Sequence, residues 1–188
     1  MSEIIQRAVY YNNLFGKFSS YECEVEHPVT GTTLTNIVFE RDDSVAAVLY
    51  NPETMKLLLV SQFRVPVYIV EERVESIELV AGSVDRDGDL IDIIRSEILE
   101  EVGYEVSELR HSMTFYVSPG ACTERIHLFY GEYSNKDRIS EGGGLKEQNE
   151  YIKVVELKYA EVFALIMKGE IVDAKTIIGL FGFTLSLI

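Results

Sequence analysis

Apolar and polar residues alternate along the first part of the chain. Residues 6 to about 42 are rich in Tyr, Phe, Val and Thr, and Tyr21–Glu26 and Thr33–Phe39 flank a turn at Pro28–Gly31. That pattern predicts antiparallel strands. Ser44–Tyr50 and Lys56–Phe63 read as two more, joined by Asn51-Pro-Glu-Thr54, which has turn chemistry. The apolar stretch Ile77–Val80 then leads into a change of period: Leu90, Ile94 and Ile98 recur at i, i+4 and i+8, the spacing of one helix face. Further strands are predicted at about Glu108–Val117, Arg125–Tyr133 and Tyr151–Glu156, and two helices at about Tyr159–Met167 and Ala174–Leu185. Strands, one helix, more strands and terminal helices make an α/β order. No repeat or low-complexity tract interrupts it.

With 188 residues, 47% of them hydrophobic, the chain can bury one full core, with a small N-terminal extension. Seventeen basic residues against 31 acidic ones give a formal charge of −14. Nucleic acid and anionic membranes are therefore poor partners, since either would need a basic face. Cys23 and Cys122 match no metal or redox spacing and read as reduced thiols. The N-terminus lacks a signal-peptide pattern, which predicts a cytoplasmic protein. The apolar run Thr176–Ile188 is too short to span a bilayer and reads as a buried helix.

The chemistry concentrates at Glu97, Glu100 and Glu101. On a helix these positions, i, i+3 and i+4, put three carboxylates on one face. Like charges so close call for a cation among them, and an oxygen-only ligand set suits Mg²⁺ or Mn²⁺. The plain alternative is a solvated acidic face. The surroundings favour the first reading: Ala81-Gly82, then a polar turn, then the amphipathic helix, then Glu100-Glu101-Val102-Gly103-Tyr104 with its glycine cap.

This segment resembles the Nudix box. Measured from Gly82, the glutamates at Glu97, Glu100 and Glu101, the aliphatic Ile98 and the closing Gly103 all fall where the family pattern has them. Two positions depart: Gly88 stands where the loop glutamate belongs, and Ser96 where the arginine belongs. Losing both together reads as removal of a bracing pair rather than loss of metal chemistry. Arg95 is no simple stand-in, being about 100° around the helix from Ser96.

The resemblance implies an α/β/α sandwich with a mixed sheet over residues 44–188. It also implies a small antiparallel N-terminal sheet, residues 1–43, that serves homodimerisation. It implies metal ligation by the Ala81 carbonyl, Glu97, Glu100 and Glu101. Val60-Ser-Gln-Phe-Arg64 matches a motif whose arginine meets a diphosphate, and an arginine fork suits phosphate oxygens. Glu78 falls where an active-site acid is common, and Arg41 and Glu124 join Arg64 and Glu78 as expected substrate-binding residues. Pro119, in Ser118-Pro-Gly-Ala-Cys-Thr-Glu124, marks the branch acting on ADP-ribose and related sugars. The loop from Ser140 to Glu150 has the composition of a mobile lid. Its acids supply the catalytic base in related enzymes, with Glu150 the first choice and Glu147 the second, acting alongside Glu101. Gly142–Gly144 is no Walker loop, for no Gly-Lys-Ser/Thr follows. His27, His111 and His127 show no ligand spacing.

The expected reaction is Mg²⁺-dependent hydrolysis of a nucleoside diphosphate sugar, GDP-mannose-like, to a nucleoside monophosphate and a sugar 1-phosphate. Two alternatives stay open: hydrolysis of ADP-ribose by the same residues, and a binding or regulatory protein that kept the fold without the turnover.

Overall fold

The structure is a computed structural model that describes residues 4–12, 18–145 and 150–186. Two compact units are formed. One draws on residues up to Ser44 together with Ser83–Asp87 and Thr114–Ile126, and the other on Val45–Gly82, Gly88–Met113 and the chain from His127 onward.

The first unit is built on an antiparallel sheet of β1 (Ile4–Asn12), β2 (Ser19–Glu26) and β3 (Thr33–Glu40), in that order. The β2/β3 hairpin runs in unbroken register from Ser19↔Glu40 to Glu26↔Thr33. Its turn is the predicted one. His27 closes it, accepting the Gly31 N–H on its carbonyl and the Val29 and Thr30 N–H groups on Nδ1, while Gly31 takes φ +68°. Phe39 pairs outward with the Ser118–Thr123 loop, donating to Ala121 O and accepting from Thr123 N.

The second unit carries most of a mixed, seven-stranded sheet. Its strands are β4 (Ser44–Asn51), β5 (Lys56–Gln62), β6 (Ser76–Glu78), β7 (Val80–Ser83), β8 (Leu109–Tyr116), β9 (Arg125–Glu132) and β10 (Lys153–Lys158). The main path is β10-β5-β4-β9-β8, with β6 paired to β5 and β7 to β4. Strand β4 reads Ser-Val-Ala-Ala-Val-Leu-Tyr-Asn, and every residue in it is buried, so both faces are covered. Asn51 shapes the β4/β5 turn by accepting the Glu53 and Thr54 N–H groups on Oδ1. Among the described residues, the α-helices that accompany the sheet are α1 (Val65–Glu71), α2 (Leu90–Val102), α3 (Tyr159–Met167) and α4 (Ala174–Ser186). Gly179 lets α4 approach the sheet closely, since a Cβ there would stand 2.8 Å from Leu79 and 3.1 Å from Val48.

Three expectations need correction. Residues 65–71 form α1, which the sequence did not suggest: Pro66 sits at the start of the helix, where its missing N–H costs nothing. The last strand begins at Lys153 rather than Tyr151, because its register against β5 runs from Lys153↔Ser61 to Lys158↔Lys56. The terminal helix is not wholly buried: Thr176, Gly179, Leu180 and Phe183 form its inner stripe, while Phe181 and Leu185 are exposed. Among the described residues, no helix is long and apolar enough to cross a membrane.

Candidate active site

Helix α2 is bounded as its sequence demands. Asp89 caps the start by accepting the Ile91 N–H, and Gly103 ends it at φ +79°, donating back to Ile98 O and Leu99 O. Ile94, Ile98 and Glu101 share one stripe at i, i+4 and i+7. Glu101 is therefore buried, at 5% exposure, among the apolar contacts of the helix, while Glu97 and Glu100 are half-buried. The carboxylate face is therefore graded in burial, deepest at Glu101, rather than evenly solvated.

Two adjacent residues of β7 meet this helix. The Ala81 N–H donates to Glu101 Oε2 at 3.1 Å. At Gly82, a Cβ would stand 2.1 Å from the Glu97 carboxyl carbon, so only glycine leaves room for that carboxylate. Burial pushes Glu101 up to about 8 despite the Ala81 hydrogen bond, and the charges of Glu97 and Glu150 add to the rise. Arg64 pulls the other way. Glu97, Glu101, Glu150 and Arg64 thus belong to one electrostatic neighbourhood.

Arg64, at the N-terminus of α1, grips Glu78 with two bonds, Nε to Oε1 at 2.9 Å and Nη2 to Oε2 at 2.8 Å. Lys175 adds a third at 2.6 Å, and also reaches Asp173 at 3.0 Å. Burial alone would raise Glu78, but the Arg64 hydrogen bonds and the Lys175 charge outweigh it and hold the carboxyl at about 2. Glu78 is thereby a fixed anion between two cations, unsuited to shuttling a proton at neutral pH. Arg64 remains 42% exposed at its side chain, so it can still present donors to a ligand.

The Gly142–Gly144 run has a definite job. All three glycines take positive φ. Gly143 N–H donates to Glu101 O at 2.9 Å and Gly144 N–H to Glu100 O at 3.1 Å, so the loop caps carbonyls that the end of α2 leaves open. A Cβ on Gly142 would stand 2.6 Å from Glu101 O. The same loop holds Glu150: Leu145 N–H donates to Glu150 Oε2, and Glu150 N–H to Leu145 O. This part of the expected lid is thus tied to the glutamate helix by backbone hydrogen bonds. Glu147 lies outside the described residues.

Arg41 and Glu124 lie in the first unit and pair with each other at 3.4 Å. Glu124, 8% exposed, also accepts the Ser44 hydroxyl at 2.6 Å. Beside them Arg125 holds Asp43 in a forked ion pair. Lys175, Asp173 and the glycine cap escaped the sequence reading as site elements. Asp173 preceding Thr176 and an apolar helix was the signal available, since an aspartate three residues ahead of such a run marks a helix start.

Among the described residues, no three His, Cys, Asp or Glu side chains already converge as metal ligands. One oxygen of Glu101 is engaged by Ala81 N–H instead. The chemistry of the set nonetheless fits a hard divalent cation: the donors are oxygens only, and Glu101 is a buried carboxyl whose nearest charges include two more carboxylates.

No protein-family profile matches the chain. It is 39% identical over 142 residues to GDP-mannose pyrophosphatases of Shigella flexneri serotype 5b (strain 8401) and Escherichia coli O1:K1 / APEC, covering 75% of this chain and 73% of each relative. It is 40% identical over the same length to the GDP-mannose pyrophosphatase of Citrobacter koseri. A crystal structure of an ADP compounds hydrolase shares the fold, with a TM-score of 0.73 at 16% identity, over 98% of this chain and 91% of that one. Taken with the Gly82–Tyr104 segment, this similarity shows that the chain belongs to the Nudix hydrolase family.

Proposed function

We propose that the protein hydrolyses the diphosphate bond of a nucleoside diphosphate sugar of the GDP-mannose kind, releasing a nucleoside monophosphate and a sugar 1-phosphate. The observation that carries this reading is the shared neighbourhood of the buried Glu101 carboxyl, Glu97, Glu150 and the cationic fork of Arg64. The named relatives support the choice of a sugar nucleotide.

Glu97, Glu100, Glu101 and the Ala81 carbonyl would hold Mg²⁺ or Mn²⁺. When bound, such a cation neutralises the diphosphate and stabilises the charge that builds on its oxygens during in-line displacement. Arg64, kept in place by Glu78, presents its free guanidinium edge to a phosphate and shares that charge stabilisation. Glu150, steadied by Leu145 N–H, takes the proton from the attacking water. An O–P bond forms, the bridging P–O bond breaks, and the sugar 1-phosphate departs. Arg41 and Glu124, paired with each other in the first unit, are the remaining candidate substrate-binding residues. The N-terminal sheet is the element through which two copies would pair, a reading supported by the exposure of Ile37 and Phe39 on β3, at 51% and 43%.

The test is incubation of the purified protein with Mg²⁺, then with Mn²⁺, and a panel of GDP-mannose, UDP-glucose, ADP-glucose and ADP-ribose, following monophosphate release. Preferred turnover of GDP-mannose is expected, with loss of that turnover in Glu101→Gln. Preference for ADP-ribose would replace the substrate assignment, and binding without turnover of any member would overturn the enzymatic reading.

A further inference from the structure

Strands β6 and β7 are one stretch of chain that changes partner, pairing first with β5 and then with β4. Leu79 sits at the change and belongs to neither strand. It is fully buried, so its N–H needs a partner other than water. Thr176 provides it: Oγ1 accepts the Leu79 N–H at 2.9 Å and donates its own hydrogen bond to Asp173 Oδ2 at 2.5 Å. Thr176 is itself at 0% exposure. Asp173 Oδ2 also accepts the Thr176 N–H at 2.9 Å, and its other oxygen meets Lys175, which reaches on to Glu78.

The first turn of α4 therefore holds two consecutive residues, Glu78 by its side chain and Leu79 by its backbone. Just beyond, in β7, come Ala81 and Gly82, the positions that face Glu101 and Glu97. Close packing alone would be met by valine, which has the shape of threonine. The hydroxyl is required only by the polar link, because only it can accept one hydrogen bond and donate the other.

We infer that Thr176, oriented by Asp173, is a positioning residue that fixes the Leu79–Gly82 backbone against the glutamate helix and so sets the geometry in which a divalent cation and the diphosphate are held. This rests on the functional reading above. Residues that orient ligating groups typically alter metal affinity or activity by about 10- to 100-fold when changed.

The experiment uses the full chain and the variants Thr176→Val and Thr176→Ser. Mn²⁺ affinity is measured without substrate by electron paramagnetic resonance, kcat and KM are measured on the preferred sugar nucleotide, and folding is checked by circular dichroism. The valine variant is expected to fold, to lose about 10- to 100-fold in Mn²⁺ affinity and in kcat with KM little changed, and the serine variant to recover both. A folded valine variant that binds Mn²⁺ and turns over like the parent would overturn the inference, as would a serine variant no better than valine. Should the valine variant fail to fold, Asp173→Asn is read the same way, and unchanged Mn²⁺ affinity and kcat would overturn it. A parent chain that neither binds Mn²⁺ nor turns over any sugar nucleotide would sink the functional reading and this inference with it. A working parent indifferent to the valine change would sink this inference alone.

Discussion

Glu101 ties the stability of the metal-free protein to pH in a direction opposite to that of most carboxylates. Its folded-state value stands at about 8 against an ordinary 4.5, because burial disfavours the anion and Glu97 and Glu150 add like charge. The folded chain therefore holds a proton at Glu101 that the unfolded chain has released. The associated stability is complete below about 4.5 and is lost as pH rises to about 8. At about 1.4 kcal/mol per pH unit, the displacement amounts to at most about 5 kcal/mol, a large share of the stability of a domain this size. The assay is urea or thermal unfolding in EDTA at pH 5.5, 7 and 8.5, repeated with Mg²⁺ and with Glu101→Gln. The parent in EDTA should lose stability across that range. Mg²⁺ should restore it most at the high end, where the carboxylates are ionised and free to bind. Glu101→Gln should flatten the pH dependence, be more stable than the parent at pH 8.5 in EDTA, and show no gain from Mg²⁺. General repulsion in an acidic chain affects parent and variant alike, so their difference isolates Glu101. Equal slopes for the two in EDTA would refute the reasoning.

Glu78→Gln should cost roughly 1–3 kcal/mol by chemical denaturation, because it removes the buried carboxylate shared by Arg64 and Lys175 and leaves Lys175, whose side chain is 11% exposed, with Asp173 alone. Gly82→Ala should lower kcat by at least about tenfold with a small change in melting temperature, since its Cβ would displace the Glu97 carboxylate rather than backbone. Gly142→Ala should destabilise by roughly 1–3 kcal/mol and reduce turnover, as it combines a positive φ with a contact to the Glu101 carbonyl; unchanged unfolding would show that the cap is dispensable.

What the sequence made legible was what local pattern controls. The Pro28–Gly31 turn, the Asn51 turn, the capped helix Leu90–Val102 and the neighbouring β-strands follow from period and turn chemistry, and the structure has them at nearly the expected bounds. Helix α1 was hidden because seven residues with none buried carry no period to detect. Glu101 shows the same limit from the other side. Its spacing from Glu97 and Glu100 suggested a shared carboxylate face, and its spacing from Ile94 and Ile98 also sets it beside the buried stripe, so the depth of its burial becomes apparent only in the packed helix.

The residues least legible in sequence are those that act at long range, and they converge on a single stretch of backbone. Residues 78–82 are held by α4 at Glu78 and Leu79 and by α2 at Ala81 and Gly82, from positions about twenty and nearly a hundred residues away in sequence. The glycine cap then ties the far end of α2 to Glu150. A carboxylate buried at a raised pKa is costly to the folded protein, and it persists only where surrounding contacts over-determine its position. Here the hydrogen bonds from two helices and one loop supply that constraint. On the proposed reading, a cation bound at Glu101 would restore the stability given up there, coupling ligand affinity to the fold that holds the site.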